Sequence, residues 1–388
     1  MKYLAVCSSS IQIMFVLNLK STILRDDIVE VIFTDTLNGY KKLVDNSNRY
    51  KIFDAAYAVE SFNLSRRKGI YRKRGFFHNI LFLKNRKKYV SNLLNIEWEY
   101  DAVMFSNVDD FTCGIYDCCY QKNRKIKLFL FEDGYSTYCV QGNVLLKSIE
   151  KNKKIMYKIM NLILGIKTAV LNIEGQFLYD VESIEWEAYF RRIPVKKFDS
   201  NNEQNVNRLN LLFGIDEITD TYDEPVIFFE ESYRTEGIPM NDVEIVNNIA
   251  SWIGKENIIV KIHPRNKDNV YKKLGYKTNV DTLVPWEVIF INNPQMENKL
   301  LISVASGSIA TPYTMLGKET HSVALVDMKQ VNPSGWISEY YDYLRRKIFK
   351  VRPDIFSCPR DEVELKIIVQ EFVSRLGEKN ENSSIRSN

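Results

Sequence analysis

An apolar run that ends at two carboxylates and a glycine limits the fold of this chain more than any other feature. Leu128–Phe131 is followed directly by Glu132, Asp133 and Gly134. Four consecutive apolar residues are typical of a strand that is buried on both faces of a parallel sheet. Open α/β sheets bind ligands at the C-terminal ends of such strands. Because neighbouring side chains of a strand point to opposite sides, only one of the two acids can face such a site as a base. The alternative is a polar strand end before a glycine turn.

Short apolar runs of this kind recur along the whole chain and are separated by segments of helical periodicity. In the first half they are Lys2–Cys7, Val29–Phe33, Ala102–Ser106 and Ile126–Phe131. In the second half they are Val226–Phe229, Ile258–Ile262, Val288–Ile291, Leu300–Val304 and Val323–Val326. Alternating strands and helices predict an α/β fold with parallel sheets.

The 388 residues are too many for one ordinary core and predict two domains. A polar loop at Ser200–Asn207 and an acidic stretch at Asp216–Pro225 mark the boundary. We therefore expect an N-terminal Rossmann-like domain at 1–215, a C-terminal Rossmann-like domain at 216–376 and a disordered polar tail at 377–388. Two such domains facing each other across a crevice are the GT-B architecture, in which the crevice holds a sugar nucleotide.

The charge of the chain is small overall but concentrated locally. A net charge of +4 argues against a nucleic-acid partner. Lysines and arginines crowd into residues 65–88, where they alternate with aromatic and aliphatic residues. This basic segment predicts peripheral contact with an anionic membrane or an acidic glycan. The alternative is a solvated helix face.

Cysteine usage and hydropathy predict the compartment. The six cysteines have no CxxC pair and include the vicinal Cys118 and Cys119, which favours a reducing environment. The apolar start is interrupted by serines and does not resemble a signal peptide, and no stretch reaches the length of a membrane span. We therefore expect a cytoplasmic protein, peripheral on the inner face of the membrane.

Two polar turns in the second half have the chemistry of a phosphate site. His263 follows a predicted strand, where its ring, neutral or charged, can donate to a phosphate oxygen; a structural histidine is the alternative. Ser306, Gly307 and Ser308 lie between a strand and a helical pattern, where hydroxyls and free N–H groups bind phosphate well. Simple N-capping by Ser308 is compatible with that role.

Glu287 is the candidate carboxylate of the second half. It stands before the predicted strand Val288–Ile291 and can accept hydrogen bonds from ribose hydroxyls, or be a solvated turn residue. The sequence has no Asp-x-Asp pair of the kind that clamps a metal. We therefore expect no obligatory metal or cofactor, with negative charge neutralised by His263, the serines and helix dipoles.

Together these motifs resemble the three signatures of the bacterial sialyltransferases, and the start Leu4–Gln12 is similar to the opening of glycosyltransferase family 52. The resemblance spans about residues 1–320. It implies a GT-B fold and inverting, metal-independent transfer of sialic acid from CMP-sialic acid to a galactose-terminated lipooligosaccharide or capsular glycan.

The resemblance also implies roles for individual residues. Asp133 is implied as the general base, on the N-terminal domain that binds the acceptor, and His263 as the group that acts on the leaving phosphate. The residues implied to bind substrate are Glu287 at the ribose, Ser306, Gly307 and Ser308 at the phosphate, and Gly134, Ser8, Ser9, Ser10 and Gln12. Two alternatives remain: a related hexosyltransferase with another nucleotide sugar, and a non-catalytic basic protein that binds membranes or glycans.

Overall fold

The computed structural model describes residues 1–72, 75–154, 159, 168–217, 220–238, 240–328, 339 and 342–386. The chain divides after Phe213 into two compact units, Met1–Phe213 and Gly214–Asn388. Each unit contains one sheet, and every strand pair in the described sheets is parallel. Two separate parallel α/β sheets agree with the predicted fold class.

The sheet of the first unit has the order β3-β2-β1-β4-β5-β6-β7. Its strands are β1 (Lys2–Cys7), β2 (Ile28–Thr34), β3 (Ala55–Val59), β4 (Ala102–Phe105), β5 (Lys127–Phe131), β6 (Ile173–Leu178) and β7 (Arg191–Pro194). The helices described around it are α1 (Ser10–Ser21), α2 (Tyr40–Tyr50), α3 (Phe62–Ser65), α4 (Gly75–Leu93), α5 (Asp110–Lys122), α6 (Val140–Lys153) and α7 (Glu203–Phe213).

The sheet of the second unit has the order β10-β9-β8-β11-β12-β13. Its strands are β8 (Val226–Phe229), β9 (Ile258–Lys261), β10 (Lys277–Thr278), β11 (Leu300–Ser303), β12 (His321–Ala324) and β13 (Phe356–Ser357). Its described helices are α8 (Tyr233–Glu236), α9 (Asp242–Ile253), α10 (Val270–Lys273), α11 (Trp286–Asn292), α12 (Thr311–Thr314) and α13 (Glu362–Arg386), with a π-helical turn at Arg345–Phe349.

Strand β5 is buried because it lies inside the sheet, between β4 and β6. Leu128, Leu130 and Phe131 are fully buried, as the uninterrupted apolar run predicts. The ring of Phe131 stacks on Phe15 of α1, with 6.0 Å between the ring centroids. This packing fixes the end of β5, and the residues that follow it, beside the start of α1.

The prediction of a strand at Val288–Ile291 is wrong, because these residues belong to helix α11. Pro285 is the N-cap of this helix, and Trp286, Val288 and Phe290 are all buried. A short apolar run that is buried on all sides has no periodicity to separate a strand from a helix.

Helix α13 is assigned as far as Arg386, and the disordered tail at 377–388 stays a prediction. The polar composition of the tail argues against packing in a core, but it does not prevent helix propagation. Each residue added to an existing helix adds one backbone hydrogen bond without a new nucleation cost.

The basic segment 65–88 is only partly available to a partner. Lys73 and Arg74 lie outside the described residues. Arg86 is buried and donates to Asp117, with Nη2 2.6 Å from Oδ2, so it belongs to the contact between α4 and α5. Arg67 forms a salt bridge with Asp110. The exposed cations that remain in the described segment are Arg66, Lys68, Arg72, Lys84 and Lys88.

None of the helices in the described part of the chain combines the length and the hydrophobicity that crossing a bilayer requires.

Candidate active site

The two carboxylates after β5 point in opposite directions, as the alternation of side chains along a strand predicts. Glu132 is buried and accepts hydrogen bonds from the Tyr138 hydroxyl and from the Tyr179 N–H, the latter at 2.9 Å. Burial raises the pKa of Glu132 to about 7, and these two hydrogen bonds oppose the rise. Glu132 is therefore an internal residue of the first unit.

Asp133 is held at the end of the sheet by side chains from two neighbouring strand ends. The Ser9 hydroxyl donates to Oδ1 at 3.1 Å, and the Asn107 amide donates to Oδ2 at 3.3 Å. The Asp133 N–H donates to the Thr137 hydroxyl at 2.8 Å. Gly134 follows with a φ of +61°, a left-handed conformation that side chains with a Cβ rarely adopt. The glycine thus turns the chain so that the carboxylate stays at the strand end.

The serines after β1 divide into different roles. Ser9 is the N-cap of α1 and accepts a hydrogen bond from the Gln12 N–H at 3.3 Å, while its hydroxyl donates to Asp133. The Ser8 N–H donates to Gln12 Oε1 at 2.6 Å, and Ser10 is the first residue of α1. The structure therefore brings Ser9 to the predicted base, with Ser8 and Gln12 beside it.

A polar cleft of about 330 Å³ opens at this end of the first sheet. Its lining residues are Val6, Ser8, Gln12, Thr36, Ser61, Phe62, Ser65, Arg66, Phe105, Ser106, Asn107, Asp109 and Thr112. The lining is rich in hydroxyls and amides and also includes two phenylalanines and one exposed arginine. Such groups suit a polyhydroxylated ligand. Asn107 lines the cleft and also donates to Asp133. No role was assigned to it from the sequence, although it lies two residues after the end of β4.

In the second unit, His263 follows β9 and is held as a neutral ring. Its Nδ1 accepts the Arg265 N–H at 3.1 Å, so the ring proton lies on Nε2. Burial and the nearby Arg265 lower the pKa of His263 to about 4. Nε2–H is therefore a hydrogen-bond donor throughout the physiological pH range.

The serine turn after β11 differs in detail from the prediction. Ser306, rather than Ser308, is the capping residue: its Oγ accepts the Ser308 N–H at 3.3 Å at the start of the 3₁₀ turn Gly307–Ile309. Helix α12 begins only at Thr311. Ala310, with a φ of −115° and a ψ of −13°, lies between the 3₁₀ turn and this helix.

Glu287 is not a solvated turn carboxylate, since its exposed fraction is 3%. It lies in the first turn of α11, and the Thr311 hydroxyl donates to its Oε1 at 2.7 Å. Burial raises the pKa of Glu287, and the nearby Lys261 opposes that rise. Lys261 is itself buried, so a carboxylate and a cation share this part of the second sheet.

Two further carboxylates of the second unit were not identified as functional from the sequence. Glu230 and Glu231 follow β8 directly and contact the loops of His263 and of the serine turn, respectively. Their position in the sequence could have identified them as candidates, because they follow an apolar strand directly, as Glu132 and Asp133 do.

The chain is similar to known proteins in sequence and in fold. Residues 3–324 match the family model described as alpha-2,8-polysialyltransferase (POLYST). No curated protein sequence gives a significant match. The fold is similar to that of spinosyn forosaminyltransferase SpnP, with a TM-score of 0.52 and 11% identity over 97% of this chain and 90% of that chain.

Two further solved structures are also similar. One is an alpha/beta-galactoside alpha-2,3-sialyltransferase from Photobacterium phosphoreum, with a TM-score of 0.49 and 9% identity over 92% of this chain and 98% of that one. The other is a UDP-GlcNAc 2-epimerase from Methanocaldococcus jannaschii, with a TM-score of 0.49 and 12% identity over 96% and 92%. Identities this low show likeness of fold alone.

The family match covers most of the chain and includes Asp133, His263, Glu287 and the serine turn. It confirms the resemblance to bacterial sialyltransferases. The two parallel sheets agree with the predicted GT-B fold. The chain belongs to the alpha-2,8-polysialyltransferase family and is a sialyltransferase-type glycosyltransferase.

Proposed function

We propose that this sialyltransferase uses CMP-sialic acid as its donor, inverts the anomeric centre and needs no metal or other cofactor. Its acceptor in this proposal is a surface glycan of the lipooligosaccharide or capsule class. The observation that supports the proposal most is the carboxylate of Asp133, which two side chains orient at the end of a sheet. A single displacement requires one such positioned base.

In the proposed reaction Asp133 removes the proton from the acceptor hydroxyl as its oxygen bonds to the anomeric carbon of the sialyl group. The bond from that carbon to the phosphate oxygen breaks, and CMP leaves with the electron pair. Ser9 and Asn107 each donate to one oxygen of Asp133, so each oxygen keeps a lone pair for the proton.

The second unit supplies the groups for the leaving nucleotide. Nε2–H of His263 donates to the phosphate, and Ser306, Gly307 and Ser308 provide hydroxyls and N–H groups to the other phosphate oxygens. Glu287 is proposed to hold the cytidine ribose through Oε2, since Thr311 occupies Oε1. Fixed neutral donors of this kind stabilise the developing negative charge without a metal.

The terminal sugar of the acceptor has two candidates. The sequence resemblance implies a galactose terminus. The description of the matched family names alpha-2,8-polysialyl transfer, which supports an acceptor that itself ends in sialic acid. Arg66 in the cleft of the first unit also favours the second candidate, because its guanidinium can pair with a sugar carboxylate.

A donor and acceptor panel tests the proposal. We expect CMP release from CMP-sialic acid with a galactose- or sialic acid-terminated acceptor, and no transfer from UDP- or GDP-hexoses. Transfer of a hexose would instead identify the related hexosyltransferase. Binding of glycans or liposomes without any nucleotide binding in calorimetry would identify the non-catalytic alternative.

We also propose that the enzyme works at the inner face of the membrane and contacts anionic lipid through residues 65–88. Ile70, Phe77 and Leu81 are highly exposed apolar residues of this segment, and Lys84 and Lys88 continue the outer face of α4 at helical spacing. Apolar side chains beside lysines suit the boundary between headgroups and acyl chains.

Replacing Lys68, Arg72, Lys84 and Lys88 by glutamine should weaken sedimentation with phosphatidylglycerol-containing vesicles. It should also lower activity on a lipid-linked acceptor more than on a short soluble one. The matched control replaces Lys122, Arg124, Lys125 and Lys127, which are exposed around the N-terminal end of β5. Equal activity losses on the two acceptors, or equal loss of vesicle binding in the control, would contradict this membrane contact.

A further inference from the structure

Strand β8 lies between β9 and β11, the two strands that lead into the proposed phosphate-binding loops. It ends in the adjacent carboxylates Glu230 and Glu231. Because consecutive side chains point to opposite sides of an extended chain, the two carboxylates can reach the two neighbouring strand ends separately.

Glu230 turns toward β9. Its own N–H donates to the Lys261 carbonyl at 3.0 Å, and its Oε2 accepts the N–H of His263 at 3.1 Å. The side chain is buried, with an exposed fraction of 3%, and Arg234 lies 3.7 Å from its Oε1. A buried carboxylate thus holds the backbone of the histidine that is proposed to contact the phosphate.

Glu231 turns toward β11. Its Oε1 accepts the Ser303 hydroxyl at 2.9 Å and the Ala305 N–H at 3.1 Å. Ser303 Oγ in turn accepts the N–H of Ser306 at 3.1 Å. Glu231 therefore accepts directly from the backbone that precedes the serine turn, and it is linked to Ser306 through the Ser303 hydroxyl.

We propose that Glu230 and Glu231 are a pair of positioning residues that hold the His263 loop and the serine turn in the geometry needed to bind one phosphate. This inference rests on the proposed function. Neither carboxylate is assigned a contact with substrate. Each carboxylate accepts an N–H from the loop after a neighbouring strand, which joins that loop to the end of β8.

CMP binding measured by calorimetry tests this role. Glu231→Ala should weaken CMP binding by about tenfold or more, because the Ala305 N–H loses its acceptor and the Ser303 hydroxyl loses its carboxylate partner. Glu231→Gln keeps an acceptor oxygen and should restore the affinity to within about threefold. Glu244→Ala, at an exposed position of α9, is the control and should bind CMP like the wild type.

A double-mutant comparison separates the two carboxylates. Each carboxylate holds its own loop, so a substitution in one loop should couple to only one of them. When Glu231→Ala is already present, adding Ser306→Ala should change CMP affinity little. When Glu230→Ala is present instead, adding Ser306→Ala should have its full effect. The opposite pattern is expected for His263→Ala. Additive effects in both backgrounds would overturn the inference.

Circular dichroism and thermal unfolding check that each variant is folded. Where Glu231→Ala is unfolded, Ser303→Ala tests the indirect link by itself, because it removes the bridging hydroxyl and leaves Glu231 to accept from Ala305. It should also weaken CMP binding, and a folded Ser303→Ala variant with wild-type affinity would overturn the inference. A folded Glu231→Ala variant with wild-type CMP affinity would overturn the inference alone. A folded wild-type protein that does not bind CMP would overturn the proposed function, and the inference with it.

Discussion

An Asp133→Asn enzyme is expected to lose sialyl transfer by about three orders of magnitude while keeping its fold, because removal of a general base costs this much. Asparagine has nearly the same shape and retains one oxygen for hydrogen bonding, but it cannot accept the proton of the acceptor hydroxyl. Ser9 and Asn107 remain in place to hold the side chain. The measurement is the rate of CMP release with acceptor, accompanied by a thermal unfolding curve.

Glu132→Gln is the matched control, because it makes the same chemical change one residue earlier. Glu132 faces the interior, and a glutamine oxygen can still accept from the Tyr138 hydroxyl and the Tyr179 N–H. We expect this variant to retain activity. A normal rate in Asp133→Asn, or equal losses in the two variants, would remove Asp133 as the base.

His263→Ala is expected to have the second largest effect, a loss of about two to three orders of magnitude in kcat, as for other fixed donors to a developing anion. The neutral ring donates through Nε2–H, since Nδ1 accepts from Arg265. His263→Gln also carries an N–H donor and should recover part of the rate. If alanine and glutamine are equally defective, hydrogen-bond donation is not the role of His263.

The same residue gives a pH prediction that does not depend on activity. The pKa of His263 is lowered from 6.5 to about 4 in the folded protein. Between these values the unfolded chain binds the extra proton, so the free energy of unfolding should fall as the pH is lowered through this window. The measurement is the difference in unfolding free energy between wild type and His263→Gln, from denaturant titrations at several pH values. The difference is needed because the pKa values of Glu132 and Glu231 are raised to about 7, which gives both proteins a contribution of the opposite slope.

The β-strands that precede the candidate site could be predicted because their signal is local. An uninterrupted apolar run followed by a polar turn identifies β5, β8 and β9, and the residues directly after such strands carry the site. β6 and β7 could not be predicted in this way. Gly175 and the fully buried Gln176 interrupt β6, and β7 begins with two arginines.

The remaining errors concern residues whose secondary structure or exposure depends on tertiary contacts. Burial on all sides makes α11 look like a strand, and only the structure shows that Thr311 reaches Glu287 from another element. The sequence places Arg86 in a basic surface segment, whereas in the structure it is buried and paired with Asp117. The partners of Asp133 are far from it in the chain, so the proposal of Asp133 as the base came from the family resemblance rather than from a local pattern.

The arrangement around Asp133 has a consequence for how the enzyme matures. Ser9 is 124 residues from Asp133 along the chain, and Asn107 is 26 residues away. Their donors meet the carboxylate only when the ends of β1, β4 and β5 are side by side, and such distant pairings form slowly. A nascent chain therefore cannot orient the carboxylate that we propose as the base until β5 has left the ribosome and docked beside β4. Its two hydrogen-bond donors are in place only once β1, β4 and β5 lie side by side.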